Sequence, residues 1–220
     1  MRIDDFIRLY PRVFHMAADG SWPAIRARGL LSTAALLDVW EVPAATRAQL
    51  LREQRYDSVT IEHPELGTAV VRDQRPLHIP SLEDALIDMS VAEWLETLNS
   101  RVYFFVQPER LQTLLTARLY RDRPCIVLTI DTASLLSEHE DSAELCAINS
   151  GFARPHSKVP RGSMTFTPIA RYEHPVRAVA RPRPKWDVAE LCIRDRVADV
   201  EKHIVSVERF VGGEAVERLA

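Results

Sequence analysis

The chain has 220 residues, of which 46% are hydrophobic and 27% charged, as is ordinary for a globular protein with one substantial core. No apolar run approaches the roughly 20 residues that a membrane-spanning helix needs, and the acidic N-terminus M-R-I-D-D-F is unlike a signal peptide. We therefore expect one domain over residues 1–220, located in the cytoplasm, with no membrane contact. The net charge of -3 excludes a uniformly basic binder of nucleic acid.

Short helices and strands alternate in the first half of the chain. A strand is expected over 12–16, followed by a helix in W-P-A-I-R-A-R-G-L-L-S, where Gly29 suits the left-handed position just past the helix end. Two short strands are expected around a turn at 64–67. Capping-box patterns that begin at Ser81 and Ser90 predict two further helices.

Strands dominate the second half, so the predicted fold class is α+β. A helix over 108–119 joins the first two of these strands. The interval 149–187 contains six prolines and little periodicity, and so long a loop in a compact domain is usually functional. The tail 211–220 is a candidate flexible segment. The strands are expected at 101–106, 125–130, 145–148, 188–193 and 203–210.

Positive charge is concentrated in the long predicted loop. Between Arg154 and Lys185 there are eight Lys or Arg residues and one acid, Glu173, so the segment suits a phosphate backbone. Tyr172 and Trp186 are available there to stack on an exposed base. The cysteines lie in predicted strands without metal-ligand spacing, so we expect neither a disulfide nor a metal site.

One carboxylate interrupts the apolar strand V-A-E-L-C-I. Strand residues face alternate sides, so Glu190 shares a face with Val188 and Cys192. An unpaired carboxylate is costly to bury, so Glu190 must meet water, a cation or a substrate. Two interpretations stay open: a catalytic group, or an acid on an edge strand that pairs with Arg194 or Arg196.

Three segments stand in a fixed order: V-F-H-M with W-P-A-I-R-A-R-G-L-L-S-T, then R-V-Y-F-F-V-Q-P-E-R, then V-A-E-L-C-I-R-D-R-V-A-D-V-E-K-H-I-V-S-V. Together they resemble ADP-ribosyltransferases, particularly the DarT-type enzymes that modify nucleic acid and, more distantly, RNA 2'-phosphotransferases. An uncharacterised bacterial family of this fold is similar around H-x-x-x-D-x-S/T-W and I-N-S-G. The resemblance implies two small packed antiparallel or mixed sheets, flanked by helices, around an NAD cleft.

The resemblance implies NAD as the co-substrate and no metal. Breaking the nicotinamide bond develops positive charge on the ribose, which a fixed carboxylate stabilises, and Glu190 stands where the resemblance puts that carboxylate. His15 is expected to donate to ribose hydroxyls, and Ser32 and Thr33 to bond the same ligand. The alternatives are a core histidine and a simple helix cap.

An arginine fork suits the two phosphates of a dinucleotide. The Asn-Pro-Arg of DarT-type enzymes is replaced by Q-P-E-R, which shifts the arginine to Arg110, and Arg101 leads because it opens the aromatic strand. Arg123 is a third candidate. Tyr103 or Phe105 is expected to stack on nicotinamide.

Asn149 begins Asn-Ser-Gly, which either places a backbone amide near the ligand or forms an ordinary turn. Three functions remain open at this point. The first is an NAD-dependent mono-ADP-ribosyltransferase of the toxin or phage-defence type, with DNA or RNA as the acceptor, protein as the next acceptor class, and an antitoxin as a partner. The second is an RNA 2'-phosphotransferase. The third is a non-catalytic module that binds nucleotide or nucleic acid.

Overall fold

The computed structural model describes residues 1–173 and 188–220. The helices are α1 (Ile3–Leu9), α2 (Trp22–Arg28), α3 (Thr33–Val39), α4 (Ala44–Arg52), α5 (Ile79–Glu83), α6 (Val91–Asn99), α7 (Pro108–Leu115) and α8 (Thr132–His139). The strands are β1 (Arg12–Ala18), β2 (Leu30–Leu31), β3 (Val59–His63), β4 (Gly67–Val71), β5 (Arg101–Phe105), β6 (Cys125–Asp131), β7 (Ala143–Cys146), β8 (Thr167–Pro168), β9 (Glu190–Arg194), β10 (Arg196–Val197), β11 (Ile204–Val211) and β12 (Glu214–Arg218). Short 3-10 turns lie at Glu140–Ser142, Ile169–Arg171 and Val200–His203.

The centre of the fold is an antiparallel sheet of eight strands in the order β12-β11-β6-β1-β5-β9-β7-β8. Two smaller sheets, β10-β2 and β3-β4, lie outside it. Helices accompany the strands, so the predicted α+β class is confirmed. None of the helices in the described part of the chain combines the length and the apolar composition that crossing a bilayer requires.

The large sheet consists of two halves that meet at a narrow junction. β1 pairs with β6 along its whole length, from Arg12 to Ala18, but it pairs with β5 at one position, Phe14 opposite Phe105. The structure therefore differs from the expected pair of packed sheets, because this one residue pair joins both halves into a single sheet. The junction between β1 and β5 is referred to below as the split.

Alternation along the strands decides which side chains build the core. Phe104, Leu128 and Leu191 are fully buried on one face of the sheet. On the other face, Leu111 and Leu115 of α7 cover β1 and β6. The sheet is therefore covered on both faces around the split.

Two of the predicted helix starts have different outcomes. The capping box at Ser90 is confirmed, since Ser90 and Glu93 exchange both hydrogen bonds at the start of α6. The box at Ser81 is wrong, because α5 begins earlier and the His78 ring accepts the N–H of Ser81 at its N-terminus. The tail considered as a flexible segment contributes β12, which pairs with β11.

Gly29 ends α2 with a φ of 80°, in the region that disfavours side chains. A Cβ at this position would lie 2.3 Å from the carbonyl oxygen of Val197, because β10 runs against β2 at this point. Glycine is thus required both by the backbone conformation and by the close approach of a second strand. This contact fixes α2 and the following strand β2 to β10.

Replacing Gly29 by alanine is expected to lower the free energy of unfolding by about 2–4 kcal/mol, because strain and a backbone clash add. Gly20→Ala is the matched control: Gly20 also has a positive φ, but no atom lies within 4 Å of the added Cβ. We expect the control to cost about 1 kcal/mol. Urea denaturation of both variants measures the difference, and equal losses would contradict the close approach.

Candidate functional site

Glu190 lies at the start of β9, between Phe105 of β5 and Cys146 of β7. It is only 7% exposed. The backbone N–H of Ser150 donates to Oε2 at 3.2 Å, and the Ser150 hydroxyl donates to the same oxygen at 2.7 Å. Among the described residues, Oε1 accepts no hydrogen bond. One carboxylate oxygen is therefore held in place by Ser150.

The interpretation of Glu190 as an edge-strand acid does not hold. β9 is an interior strand, with β5 on one side and β7 on the other. Arg194 donates to the carbonyl oxygen of Asp141, and Arg196 pairs with its neighbour Asp195. Neither arginine neutralises Glu190.

The surroundings of Glu190 set its proton affinity near neutrality. Burial raises the pKa of its carboxyl to about 7, against the lowering effect of the two Ser150 hydrogen bonds and of the charges of Arg110 and Arg161. A carboxyl with this pKa exchanges its proton at physiological pH, as general acids and bases must.

Arg161 is a second buried charge in the same place. It is 3% exposed, and its Nη2 donates to the carbonyl oxygen of Phe152. Burial lowers the pKa of the guanidinium, whereas nearby Cys146 and Glu190 raise it. Its Nε and Nη1 are buried and have no partner in the part of the chain that is described. Buried donors without an acceptor cost free energy, so these two nitrogens need an acceptor from outside the described residues.

His15 occupies the split between the two halves of the sheet. Its Nδ1 donates to the carbonyl oxygen of Tyr103 at 2.8 Å, where a regular ladder would have placed a backbone N–H. Burial lowers the pKa of the imidazole to about 4, opposed by the Tyr103 bond and assisted by the charge of Arg72. His15 is therefore neutral at pH 7, and with the proton assigned to Nδ1 its Nε2 is an acceptor rather than the expected donor.

The register brings His15 and Glu190 close to one another. His15 is the neighbour of Phe14, which lies opposite Phe105, and Phe105 lies opposite Glu190. Two interstrand spacings separate β1 from β9, so the two backbones are about 10 Å apart. Because His15 follows Phe14, its side chain projects to the opposite face of the sheet from Phe105 and Glu190, and its ring lies 5.8 Å from that of Phe104.

DUF7002, a family of unknown function, matches residues 11–204 of the chain. The chain belongs to this family. No curated protein and no solved structure matches it. The DUF7002 match includes β1, the split, Ser150 and β9.

Two predicted site residues of this DUF7002 protein lie at the far end of β5. Arg101 pairs with Glu144 at 2.7 Å and stacks over Phe166 at 4.4 Å. It is opposite Arg194, four residues along the strand from the level of Glu190, which corresponds to about 13 Å. The Tyr103 hydroxyl donates to the carbonyl oxygen of Leu98.

These contacts give Arg101 and Tyr103 structural partners away from the carboxyl. Of the arginines proposed from sequence, Arg110 is the one whose charge acts on Glu190. It is exposed on α7, where its Nε donates to Gln107. Arg123 contacts Asp73 instead. The structure thus favours Arg110 over Arg101 beside Glu190.

Ser32 and Thr33 also lie apart from Glu190. Ser32 is buried, and its hydroxyl accepts the N–H of Ala35, so it caps α3, of which Thr33 is the first residue. The Ser32 N–H donates to the carbonyl oxygen of Asp195, beyond the far end of β9. The helix-cap interpretation therefore accounts for Ser32.

Phe105 and Asn149 remain near the carboxyl. Phe105 lies directly opposite Glu190 and is half-buried against α7. Asn149 is exposed and immediately precedes Ser150. The backbone amide expected from the Asn-Ser-Gly turn is that of Ser150, and it points at Glu190 rather than into open space.

The predicted recognition loop is described as far as residue 173. Tyr172 is 6% exposed and belongs to the main core, so it is not available to stack on a base. Arg154 lies over the ring of Phe152 at 5.5 Å. Lys158 and Arg171 are exposed, as the prediction requires. Five further residues of this prediction lie outside the described residues: Arg177, Arg181, Arg183, Lys185 and Trp186.

Sequence reasoning missed Ser150 and Arg161 as members of the site. The I-N-S-G pattern contains Ser150, but its neighbour Asn149 was named as the site residue. Arg161 carried no such signal, because it was counted among the surface cations of a basic segment. Only the folding of residues 150–161 next to β9 reveals its burial.

Glu190→Gln is expected to stabilise the fold at high pH. Below about pH 4.5 the carboxyl is protonated in folded and unfolded chains alike, so its ionisation has no effect on stability. Between about pH 4.5 and pH 7 the unfolded chain is ionised while the folded chain still holds this proton, so the free energy of unfolding falls as the pH rises. Above about pH 7 both states are ionised, and the loss of stability is constant. The free energy of unfolding of the variant should exceed that of the wild type by about 3 kcal/mol above pH 7.5. Urea denaturation from pH 4.5 to 8.5 measures this difference.

Glu144→Gln is the matched control, since Glu144 is also buried in the sheet but is paired with Arg101. Neutralising it leaves a guanidinium without its anion, so this variant should lose stability at pH 8. A Glu190→Gln variant that also lost stability at pH 8 would contradict the unpaired, buried carboxyl.

Proposed function

We propose that the chain is an NAD-dependent mono-ADP-ribosyltransferase that modifies nucleic acid, with the surroundings of Glu190 as its active site. The observation that carries this proposal is the buried carboxyl of Glu190, with one oxygen held in place by Ser150 and a pKa of about 7. Its ionised form supplies a fixed negative charge in a site that excludes water.

The positions of the three sequence motifs support the proposal. The histidine segment, the aromatic segment and the Ala-Glu segment form β1, β5 and β9, which are three adjacent strands of one sheet. β1 and β5, and likewise β5 and β9, are separated along the sequence by more than 80 residues. Segments that are distant along the chain therefore lie side by side at the split.

NAD as co-substrate supplies a glycosidic bond between ribose and a cationic pyridinium, which leaves as neutral nicotinamide while positive charge develops on the ribose. The ionised Oε1 of Glu190 is placed to stabilise positive charge on the sugar, while Ser150 keeps the carboxyl in one orientation. Arg110 supplies an exposed fork for phosphate, and the unsatisfied donors of Arg161 fit a further oxygen acceptor.

A groove that is lined in part by the segment after Ser150 supports nucleic acid as the acceptor. Its volume is about 520 Å³, and Phe152, two residues along the chain from Ser150, is one of its lining residues. Tyr56 and Phe152 are exposed aromatic rings in its wall, and Arg154 stacks on Phe152. Exposed rings beside arginines are the combination that binds unpaired bases and their phosphates.

Nicotinamide release from NAD tests the reaction. The rate is expected to fall about 100-fold or more in Glu190→Gln, because one charge that stabilises the transition state is removed. In the wild type it should rise with pH around a midpoint near 7, since the ionised carboxyl is the active form. Glu109→Gln, an exposed acid at the start of α7, should keep the wild-type rate.

The mass gained by DNA, RNA and protein incubated with NAD identifies the acceptor. ADP-ribose on DNA or RNA is the expected result. ADP-ribose on protein alone would show that the acceptor is protein and not nucleic acid. A 2'-phosphorylated RNA that loses its phosphate would assign the alternative activity, RNA 2'-phosphotransfer. A protein that binds no NAD and releases no nicotinamide would overturn the proposal and leave a non-catalytic module.

The groove is tested separately by Phe152→Ala. Loss of one stacking contact should lower kcat/KM for the nucleic-acid acceptor about 10-fold, whereas nicotinamide release to water should be unchanged. Met164→Ala, which removes an exposed side chain elsewhere in the same loop, is the control and should change neither rate. Equal acceptor kinetics in all three proteins would exclude the groove as the acceptor site.

A further inference from the structure

A second cluster of ionisable groups lies away from Glu190, where α8 ends beside the 3-10 turn before β11. It consists of His139, Asp199 and His203, whose ligand-type atoms all lie within 4.8 Å of one another. Nε2 of His139 is 2.7 Å from Oδ1 of Asp199, and Nε2 of His203 is 3.4 Å from the same oxygen. The two imidazole rings meet edge to face at 5.7 Å.

His203 carries the unexplained feature of this cluster. The residue is 2% exposed, and its Nδ1 shares a hydrogen bond of 2.7 Å with the Ser134 hydroxyl. Its Nε2 is buried and has no hydrogen-bond partner among the residues that are described. A buried imidazole nitrogen without a partner costs free energy unless something else occupies the space in front of it.

An ordinary charge pair explains only part of the arrangement. Asp199 and His139 form a close pair, and Lys202 lies 3.5 Å from the other Asp199 oxygen. Neither contact reaches His203 Nε2. If His203 holds its proton on Nδ1 toward Ser134, its Nε2 lone pair faces a carboxylate oxygen, and a cation between them relieves that repulsion.

We propose that His139 Nε2, Asp199 Oδ1 and His203 Nε2 bind a divalent transition-metal ion, with Zn²⁺ as the representative probe. Two imidazole nitrogens and one carboxylate oxygen are ligands that this ion prefers. Metal–ligand bonds of about 2.0–2.1 Å in a tetrahedron put the ligand atoms about 3.3 Å apart, so the observed 2.7 and 3.4 Å require only small movements.

The surroundings provide the other elements of a metal site. Ser134 holds Nδ1 of His203 and so orients the ring, as the outer partners of metal-bound histidines do. The side chains of His139 and Asp199 are partly exposed, which leaves a path for the ion and room for a water as the fourth ligand. The site joins the end of α8 to the segment that leads into β11.

This proposal replaces the expectation from sequence that the chain binds no metal. The segment D-V-E-K-H does place Asp199 and His203 four residues apart, on one side of a helical turn. His139 is distant in sequence, so the third ligand becomes evident only in the fold. The site is independent of the proposed transferase activity, since none of its residues contacts Glu190.

Metal content and thermal unfolding of the full chain test the proposal. One equivalent of Zn²⁺ should bind after dialysis against a chelator and buffer exchange. At free Zn²⁺ about 100 times the dissociation constant, Tm should rise by roughly 5–10 °C. Co²⁺ in place of Zn²⁺ should give the visible absorption of a four-coordinate site.

His139→Gln and Asp199→Asn should each abolish the Tm increase and the Co²⁺ absorption. His63→Gln is the matched control, because His63 also faces an acid, Glu41 at 3.7 Å, but has no third ligand, and it should bind metal as the wild type does. The proposal is overturned if the wild type binds no more Zn²⁺ than His139→Gln and Asp199→Asn do. Loss of binding in His63→Gln would likewise overturn it, by placing the metal elsewhere.

Discussion

The carboxyl of Glu190 is buried in an interior strand, where no residue of the ranges 1–173 and 188–220 forms an ion pair with it. The arrangement of the site depends on this fact. An ion in such a place is strongly disfavoured, so the protein holds one oxygen with two hydrogen bonds from Ser150 and keeps two arginine charges nearby. These interactions compensate for burial only in part, which leaves the pKa near 7. The fold therefore bears a cost in stability at neutral pH for a carboxyl that can change its charge there.

The split between β1 and β5 is the second constraint, because the strand next to β9 pairs with β1 at one position only. A regular ladder would have continued along both strands. Instead the His15 ring takes the carbonyl of Tyr103, and backbone pairing is limited to Phe14 and Phe105. The same residue thus interrupts the sheet and presents an acceptor nitrogen beside the gap. His15 shapes the junction of the sheet, whereas Glu190 carries the proposed chemistry.

Much of the fold followed from local patterns in the sequence. The alternation in R-V-Y-F-F-V and V-A-E-L-C-I predicted β5 and β9, the box at Ser90 predicted α6, and Gly29 marked the end of α2. The predicted site was less complete, because its members are assembled by long-range pairing. Arg101 was chosen for its place at the start of a strand, yet the register puts it about 13 Å from Glu190.

Burial was the property that the sequence concealed. Arg161 and Tyr172 were both counted as exposed members of a basic loop, and both are buried. His203 was treated as part of a strand, although its unpartnered nitrogen faces Asp199. Composition and spacing do not determine which side of a loop packs against the sheet, so these roles required the coordinates.

The carboxyl resonances of protein labelled with ¹³C at glutamate Cδ test the central claim most directly. One resonance, absent from Glu190→Gln, should titrate near pH 7 and shift when NAD is added. A Glu190 resonance that titrates near the ordinary value of 4.5 and does not respond to NAD would contradict both the buried carboxyl and the ligand site built around it.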